Sequence, residues 1–203
     1  MGLISAASTI FDAGSMASGF GGSMVFIKKL TASGSATLAF VHGSGGVDFS
    51  TYKEYVFTFN NIHPDSDNVN FQFNGSIDAG SNYNVTKTST FFRSMHKESD
   101  ADAFVVYRGA PDLAQSTADQ VIMDQLGSDN DQCGSGYLHL FNPSSTVFVK
   151  HFISKANYTS YNDEQRTEFI GGYLNTTSDI DAIRFKLNGG SIQSGDICLY
   201  GIA

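Results

Sequence analysis

From residue 24 onward, large apolar residues alternate with polar ones at a period of two, broken every few residues by Gly, Asn, Asp, Pro and Ser. That period places successive side chains on opposite faces of an extended strand, so the chain reads as a series of short strands with one wet face. Residues 52–60 put Tyr55, Phe57 and Phe59 on one face and Glu54 and Thr58 on the other. Residues 68–74 repeat the pattern with Val69, Phe71 and Phe73. Because only Ile62-His63-Pro64-Asp65 and its neighbours separate them, these two runs are expected to pair antiparallel at the centre of one sheet. Near the end, Ile183, Phe185 and Leu187 alternate with Arg184 and Lys186, and Asn188-Gly189-Gly190 supplies a turn into 197–202. The final run is apolar enough to be expected inside a sheet. Further runs at 24–30, 36–41, 104–107, 121–126, 136–141, 146–154 and 168–174 bring the total to about ten to twelve strands, the pattern of a sandwich or barrel. Helical periodicity is nearly absent, with room for one turn at 110–118.

Two polar stretches interrupt the pattern. Residues 75–102 and 155–166 are rich in Ser, Asn and Thr and read as surface loops, where binding residues tend to sit. Gly171-Gly172 marks a bulge or a close backbone approach. Residues 1–24 differ from everything after them: small, uncharged except for Asp12, and dotted with Leu3, Ile4, Ile10, Phe11, Met16 and Phe20 at no regular period. A free tail is normally charged and poor in large apolar groups. The leader is therefore expected to be an arm, either lying across its own domain or anchoring the chain on a neighbouring subunit, with those six residues as the anchor. The division is an arm at 1–24 and a β-domain at 25–203.

Composition narrows the function. With 203 residues, one core is expected. Phe 17 and Tyr 9 suit half-buried sheet surfaces. A net charge of -8 disfavours a nucleic-acid partner, which calls for a basic surface. No run is long enough for a membrane helix, and no secretory leader is evident. Cys133 and Cys198 are accordingly read as thiols rather than a disulfide.

Candidate chemistry is sparse. There is no Gly-x-Ser-x-Gly, His-Glu-x-x-His or Cys-x-x-Cys. Gly43 to Gly46 form a glycine-rich turn without the lysine of a phosphate loop. Asp129 and Asp131 share a loop that departs from the calcium-binding pattern and read as a solvated turn. His139 and His151 would form a pair only if their strands were adjacent, and Cys133 with His139 only if a turn brought them together. The expectation is a non-enzymatic protein with no cofactor and no metal.

The closing residues Gly195-Asp196-Ile197-Cys198-Leu199-Tyr200-Gly201-Ile202-Ala203, preceded by Ile183-Arg184-Phe185 and the Gly189-Gly190 turn, resemble the ending of many bacteriophage structural proteins, which finish on a Gly-x-Ile-x-Leu-Tyr-Gly-Ile strand. Tyr52-Lys53-Glu54-Tyr55 with Asn60-Asn61-Ile62-His63-Pro64 is similar to their early core strand, and Phe141-Asn142-Pro143-Ser144-Ser145 to a middle turn. The resemblance covers folding determinants from about residue 50 onward. It implies an all-β, jelly-roll-like antiparallel β-sandwich in a virion component made in the host bacterial cytoplasm, and it carries over no catalytic residue. The resulting expectation is a head decoration (cement-type) or other accessory surface protein that assembles with itself, as a trimer, and with capsid or tail proteins. The alternative is a tail fibre or receptor-binding module that recognises host glycan through Tyr158 and Tyr161 stacking on sugar rings. A third class, a hydrolase on the same scaffold, would need a carboxylate or His-carboxylate cluster in a cleft.

Overall fold

A computed structural model describes residues 23–203 and, ahead of them, the backbone of residues 3–5, 8–12 and 15–16. The elements are β1 (Leu3–Ser5), β2 (Ser8–Asp12), β3 (Ser15–Met16), β4 (Met24–Thr31), β5 (Thr37–Val41), β6 (Glu54–Pro64), β7 (Val69–Ser76), β8 (Lys87–Lys97), β9 (Ala103–Tyr107), β10 (Gln120–Leu126), β11 (Gly134–Phe141), β12 (Lys150–Ser160), β13 (Glu164–Leu174), β14 (Ala182–Leu187) and β15 (Ile192–Ile202). The described residues contain no helix, so 110–118 holds no helical turn. The leader, read from its pattern as lacking a strand period, contains β1, β2 and β3 in a small antiparallel sheet of their own. The side chains of Leu3, Ile4, Ile10, Phe11 and Met16, and all of Phe20, lie outside the described residues.

The remaining strands make an all-β antiparallel sandwich. A large sheet runs β4-β15-β6-β11-β12-β13-β8-β9 and a small one runs β10-β7-β14-β5. They join at one corner, where Leu126 of β10 pairs with Ser160 of β12. The inward faces meet through aromatic rings: Phe59 on Phe71 at 5.2 Å, Phe57 on Phe185 at 5.3 Å and Phe73 on Phe152 at 5.1 Å between centroids. All of these rings are buried. Edge-to-face pairs of this kind add about 0.5–1.5 kcal/mol each beyond the area they remove from water.

One expected pairing is corrected. β6 and β7 are not neighbours in a sheet but face each other across the core, and β14 and β15, on either side of the Asn188-Gly189-Gly190 turn, likewise lie in different sheets. Tyr55, Phe57 and Phe59 do point inward, as do Val69, Phe71 and Phe73. Alternation specifies which side chains turn inward, and it is satisfied equally by strands side by side and strands face to face. The connections decide, and both are arches that lock together. Asp65 N–H donates to Ser191 O at 3.1 Å, and Ser191 N–H donates to Asp65 Oδ1 at 2.8 Å. Asn188 N–H donates to Asn70 O and Asn70 N–H returns to Asn188 Oδ1 at 2.7 Å. The bond from Ser191 N–H, joined by one from Ser66 Oγ at 2.9 Å, holds the Asp65 carboxyl below its ordinary pKa.

Two polar stretches read as loops are strands. β8 occupies most of the second half of 75–102, and β12 and β13 extend through 155–166 to a short turn. Their inward positions are Lys87, Ser89, Phe91, Arg93 and Met95 on β8, and Glu164, Arg166, Glu168 and Ile170 on β13. A period-two search for apolar residues misses a strand whose buried face is charged.

Gly190 has φ of +66°, and a Cβ there would strike Asp65 Oδ1 and Ser66 Oγ. Gly190→Ala is therefore expected to lower unfolding free energy by about 1–3 kcal/mol in urea titrations. Gly189→Ala, where the added carbon meets only Val69 at an ordinary 3.6 Å, should be close to neutral.

Candidate binding face and the charged layer beneath it

The outer face of the large sheet carries an apolar row directed at solvent. Continuous register aligns Thr58 (β6), Tyr137 (β11), Lys155 (β12), Phe169 (β13), Phe92 (β8) and Tyr107 (β9) across six strands. A second row beside it aligns His139, Ile153, Gly171 and Thr90. The apolar members Phe92, Tyr107, Tyr137, Ile153 and Phe169 remain between 37% and 52% exposed. Isolated exposed apolar residues are normal on a soluble protein; a contiguous set marks a contact surface.

The rows enclose a shallow trough of about 470 Å³ lined by Thr90, Phe92, Tyr137, Ile153, Lys155, Phe169 and Gly171. Its floor exists because residue 171 has no side chain: a Cβ there would meet nothing closer than Thr90 Oγ1 at 3.8 Å. Gly172 faces the core, and its Cβ would collide with Phe152 and the backbone oxygen of Thr88. The glycine pair is thus a close approach on one face and an opening on the other, in strands whose register runs without a bulge. Lys155 Nζ lies 5.1 Å from the Phe169 ring centroid, a cation–π contact at the trough rim. Nearby, His139 Nδ1 is 2.8 Å from Glu54 Oε1, and its ring lies between Tyr137 and Phe141. His151 packs on Tyr173.

On the opposite face of the same strands lies a buried charge network. Arg93 donates from Nε to Glu168 Oε1 at 2.7 Å and from a terminal nitrogen to Asp124 Oδ2 at 2.6 Å. Tyr158 Oη donates toward Glu168 Oε1 at 2.6 Å and accepts from the Asp124 N–H at 3.0 Å. Arg166 pairs with Glu164 and donates to Asp124 O at 2.9 Å. Arg108 reaches Asp124 from the rim at 3.2 Å. These bonds fasten β10 of the small sheet over β8, β12 and β13. Burial pushes the Glu168 carboxyl up, against the pull of Arg93. Burial also opposes charge on Arg93, but Tyr158, Glu168 and Asp124 outweigh it and raise its pKa. Desolvation raises Tyr158 well above the ordinary phenol value.

Tyr158 is consequently misassigned as a sugar-stacking loop residue. It is 2% exposed, lies on the inward face of β12, and spends its hydroxyl in this network. Tyr161 is half-buried in the β12–β13 turn, its N–H donating to Gln125 O at 3.2 Å. The two do not form one surface. The residues that do are Tyr137, Phe92 and Phe169: Phe92 lies in a stretch whose pattern reads as a loop, and Tyr137 and Phe169 are outward residues of alternating strands, positions expected to be polar. His139 and His151 are on the same face of adjacent strands, but each has another partner. Cys133 and His139 are not brought together: Cys133 Sγ neighbours Asn61 Oδ1 at 3.9 Å while His139 is held by Glu54. Both cysteines are free thiols. Asp129 sits in a turn closed by Gln132, whose N–H donates to Asp129 O. Among the described residues, no group of three or more His, Cys, Asp or Glu is arranged to hold a metal ion.

No family model, curated protein or solved structure matches the chain.

Lys87 extends the buried charge. It is fully buried, and Nζ donates to Asn74 Oδ1 and Val85 O, both at 2.6 Å. Desolvation lowers its pKa from 10.5 to about 8, against the opposing pull of Asp119. Between those values the unfolded chain binds more protons than the folded one, so stability rises as pH climbs through the window. Raising pH from 7 to 9.5 should add about 2 kcal/mol from this group. In paired denaturant titrations, Lys87→Met should lose that increment. Lys150, lowered in the same direction by its own burial, leaves a residual rise.

Proposed function

We propose that the chain is a non-enzymatic bacteriophage virion protein, a head decoration or other accessory surface protein that attaches through its leader and associates with itself and with capsid or tail subunits. The observation that carries this reading is the exposed aromatic set Tyr137, Phe169, Phe92 and Tyr107, aligned in one row on the solvent side of the large sheet with Lys155 between Tyr137 and Phe169. A face of this kind suits contact with other structural subunits, because burying it removes large rings from water at small cost in side-chain entropy. The resemblance of the closing strand, here β15 between β4 and β6, supports the same class. In this reading the sandwich is a stiff spacer and the leader an attachment element. The apolar outer face of the large sheet is then available to contact neighbouring subunits.

Deletion of residues 2–22 tests the attachment. It leaves β4 intact, and the domain is expected to remain folded but no longer to band with virions in a density gradient. Normal incorporation of the truncated chain would reject the anchoring role of the leader.

A second reading, a tail fibre or receptor-binding module for host surface glycan, is favoured by the trough itself. Its aromatic walls match the apolar faces of a pyranose ring, and Thr90 and Lys155 supply hydroxyl partners at its edge. The Cβ of Gly171→Val meets only Thr90 Oγ1, at an ordinary 3.8 Å, so the domain should still fold while any signal on a glycan array falls at least tenfold. A signal that persists in the filled variant excludes the trough as its source.

A further inference from the structure

We propose that β9 is a self-pairing edge: two copies of the chain join their large sheets through antiparallel β9–β9 pairing about a two-fold axis at Val105. This rests on the virion reading and gives its self-contact a two-fold form, in place of the trimer expected from the sequence.

β9 is the last strand of the large sheet and, among the described residues, pairs only with β8. All five of its residues are exposed, on both faces: Phe104 41%, Val105 78%, Val106 36% and Tyr107 47%, with Ala103 alongside. An apolar edge without a charge, proline or bulge is the arrangement that natural sheets avoid unless something pairs with it. The opposite edge shows the usual protection, since β4 carries Lys28 and Lys29 in sequence.

Backbone direction fixes which groups are free. Lys97 N–H donates to Asp102 O and Arg108 N–H donates to Phe91 O, so residues 102 and 108 point their amide groups toward β8. Alternation in an antiparallel ladder then turns the N–H and C=O of 103, 105 and 107 outward. Pairing a second β9 antiparallel with Val105 opposite Val105 sets Ala103 against Tyr107 twice. Every outward group on one copy then meets an outward group on the other.

Charge selects the same arrangement. In this register Asp102 of each copy faces Arg108 of the other, whereas parallel pairing would align like with like. Asp102 is exposed, and Arg108 is about one-third exposed, with one terminal nitrogen on Asp124. On the two faces of the joined sheet, Phe104 meets Val106 of the second copy, and the valines at the axis meet each other. The occupant is thus a second copy of this chain, matched in hydrogen bonding, apolar face and end charge.

The test is solution mass by sedimentation equilibrium on the full-length chain, with Val105→Lys and Val105→Cys. The native chain should show a concentration-dependent species of twice 21.8 kDa. Val105→Lys places two ammonium groups at the axis and should return the mass to the monomer while leaving the domain folded, because residue 105 is mostly solvent-facing. Val105→Cys should form an interchain disulfide under mild oxidation, since directly opposed residues sit about 5.5 Å apart at Cα. A native chain that stays monomeric, an oligomer unaltered by Val105→Lys, or an oligomer in which Val105→Cys fails to cross-link would overturn the proposal. None of these readouts involves particles, so failure here and failure of the virion reading are separately visible.

Discussion

The sandwich depends on one ring. Phe185, from the small sheet, contacts Phe57 and Phe59 across the core and Phe71 and Phe73 on its own neighbour strand, with Phe40 at its other side. A buried phenylalanine contributes about 1.5–3 kcal/mol through area alone, and this one also sets the distance at which the two sheets meet. Because β6 and β7 face each other through this cluster, the arches that follow them need not be tight hairpins. They have only to cross the core and be tied at the rim, which the Asp65–Ser191 and Asn70–Asn188 bonds accomplish.

Four strands of the small sheet cannot cover eight of the large one. Under β8, β12 and β13 the aromatic core gives way to Arg93, Glu168, Asp124, Arg166 and Tyr158, with β10 laid over them. A buried ion pair rarely adds much net stability, since desolvation offsets attraction, but losing one partner leaves a stranded charge that costs about 3–5 kcal/mol. The layer ties β10 to β8, β12 and β13 through Asp124, and on the outer face of those last three strands the side chains form the aromatic row and the trough.

Much of the fold was readable from period-two alternation. Tyr55, Phe57, Phe59, Val69, Phe71, Phe73, Ile183, Phe185 and Leu187 were all placed inward, and all are buried. What alternation does not encode is which strand lies beside which, since the inward set of β6 is the same for a neighbour in the sheet or a partner across the core. Strand β8 and the first turn-side residues of β13 read as loop because Lys87, Arg93, Glu164 and Arg166 occupy inward positions that a hydrophobicity pattern scores as solvent. The candidate face was less legible still. Phe92, Tyr137 and Phe169 are distant in sequence and become a row only once registers are known, while Tyr158 reads as an exposed ring until its strand is seen to continue through it.

The unequal edges of the large sheet bear on how far association can spread. At β4 the ammonium group of Lys29 is held at the rim by Asp196 at 3.3 Å, and Lys28 packs against the turn at Gly45. Another strand approaching there would have to strip water from both cations, whereas β9 presents no such toll. A unit with one reactive end is monofunctional in the polymer chemist's sense: it couples once and stops. If β9 pairs as proposed, extension of the large sheet terminates at two copies instead of growing into a fibre.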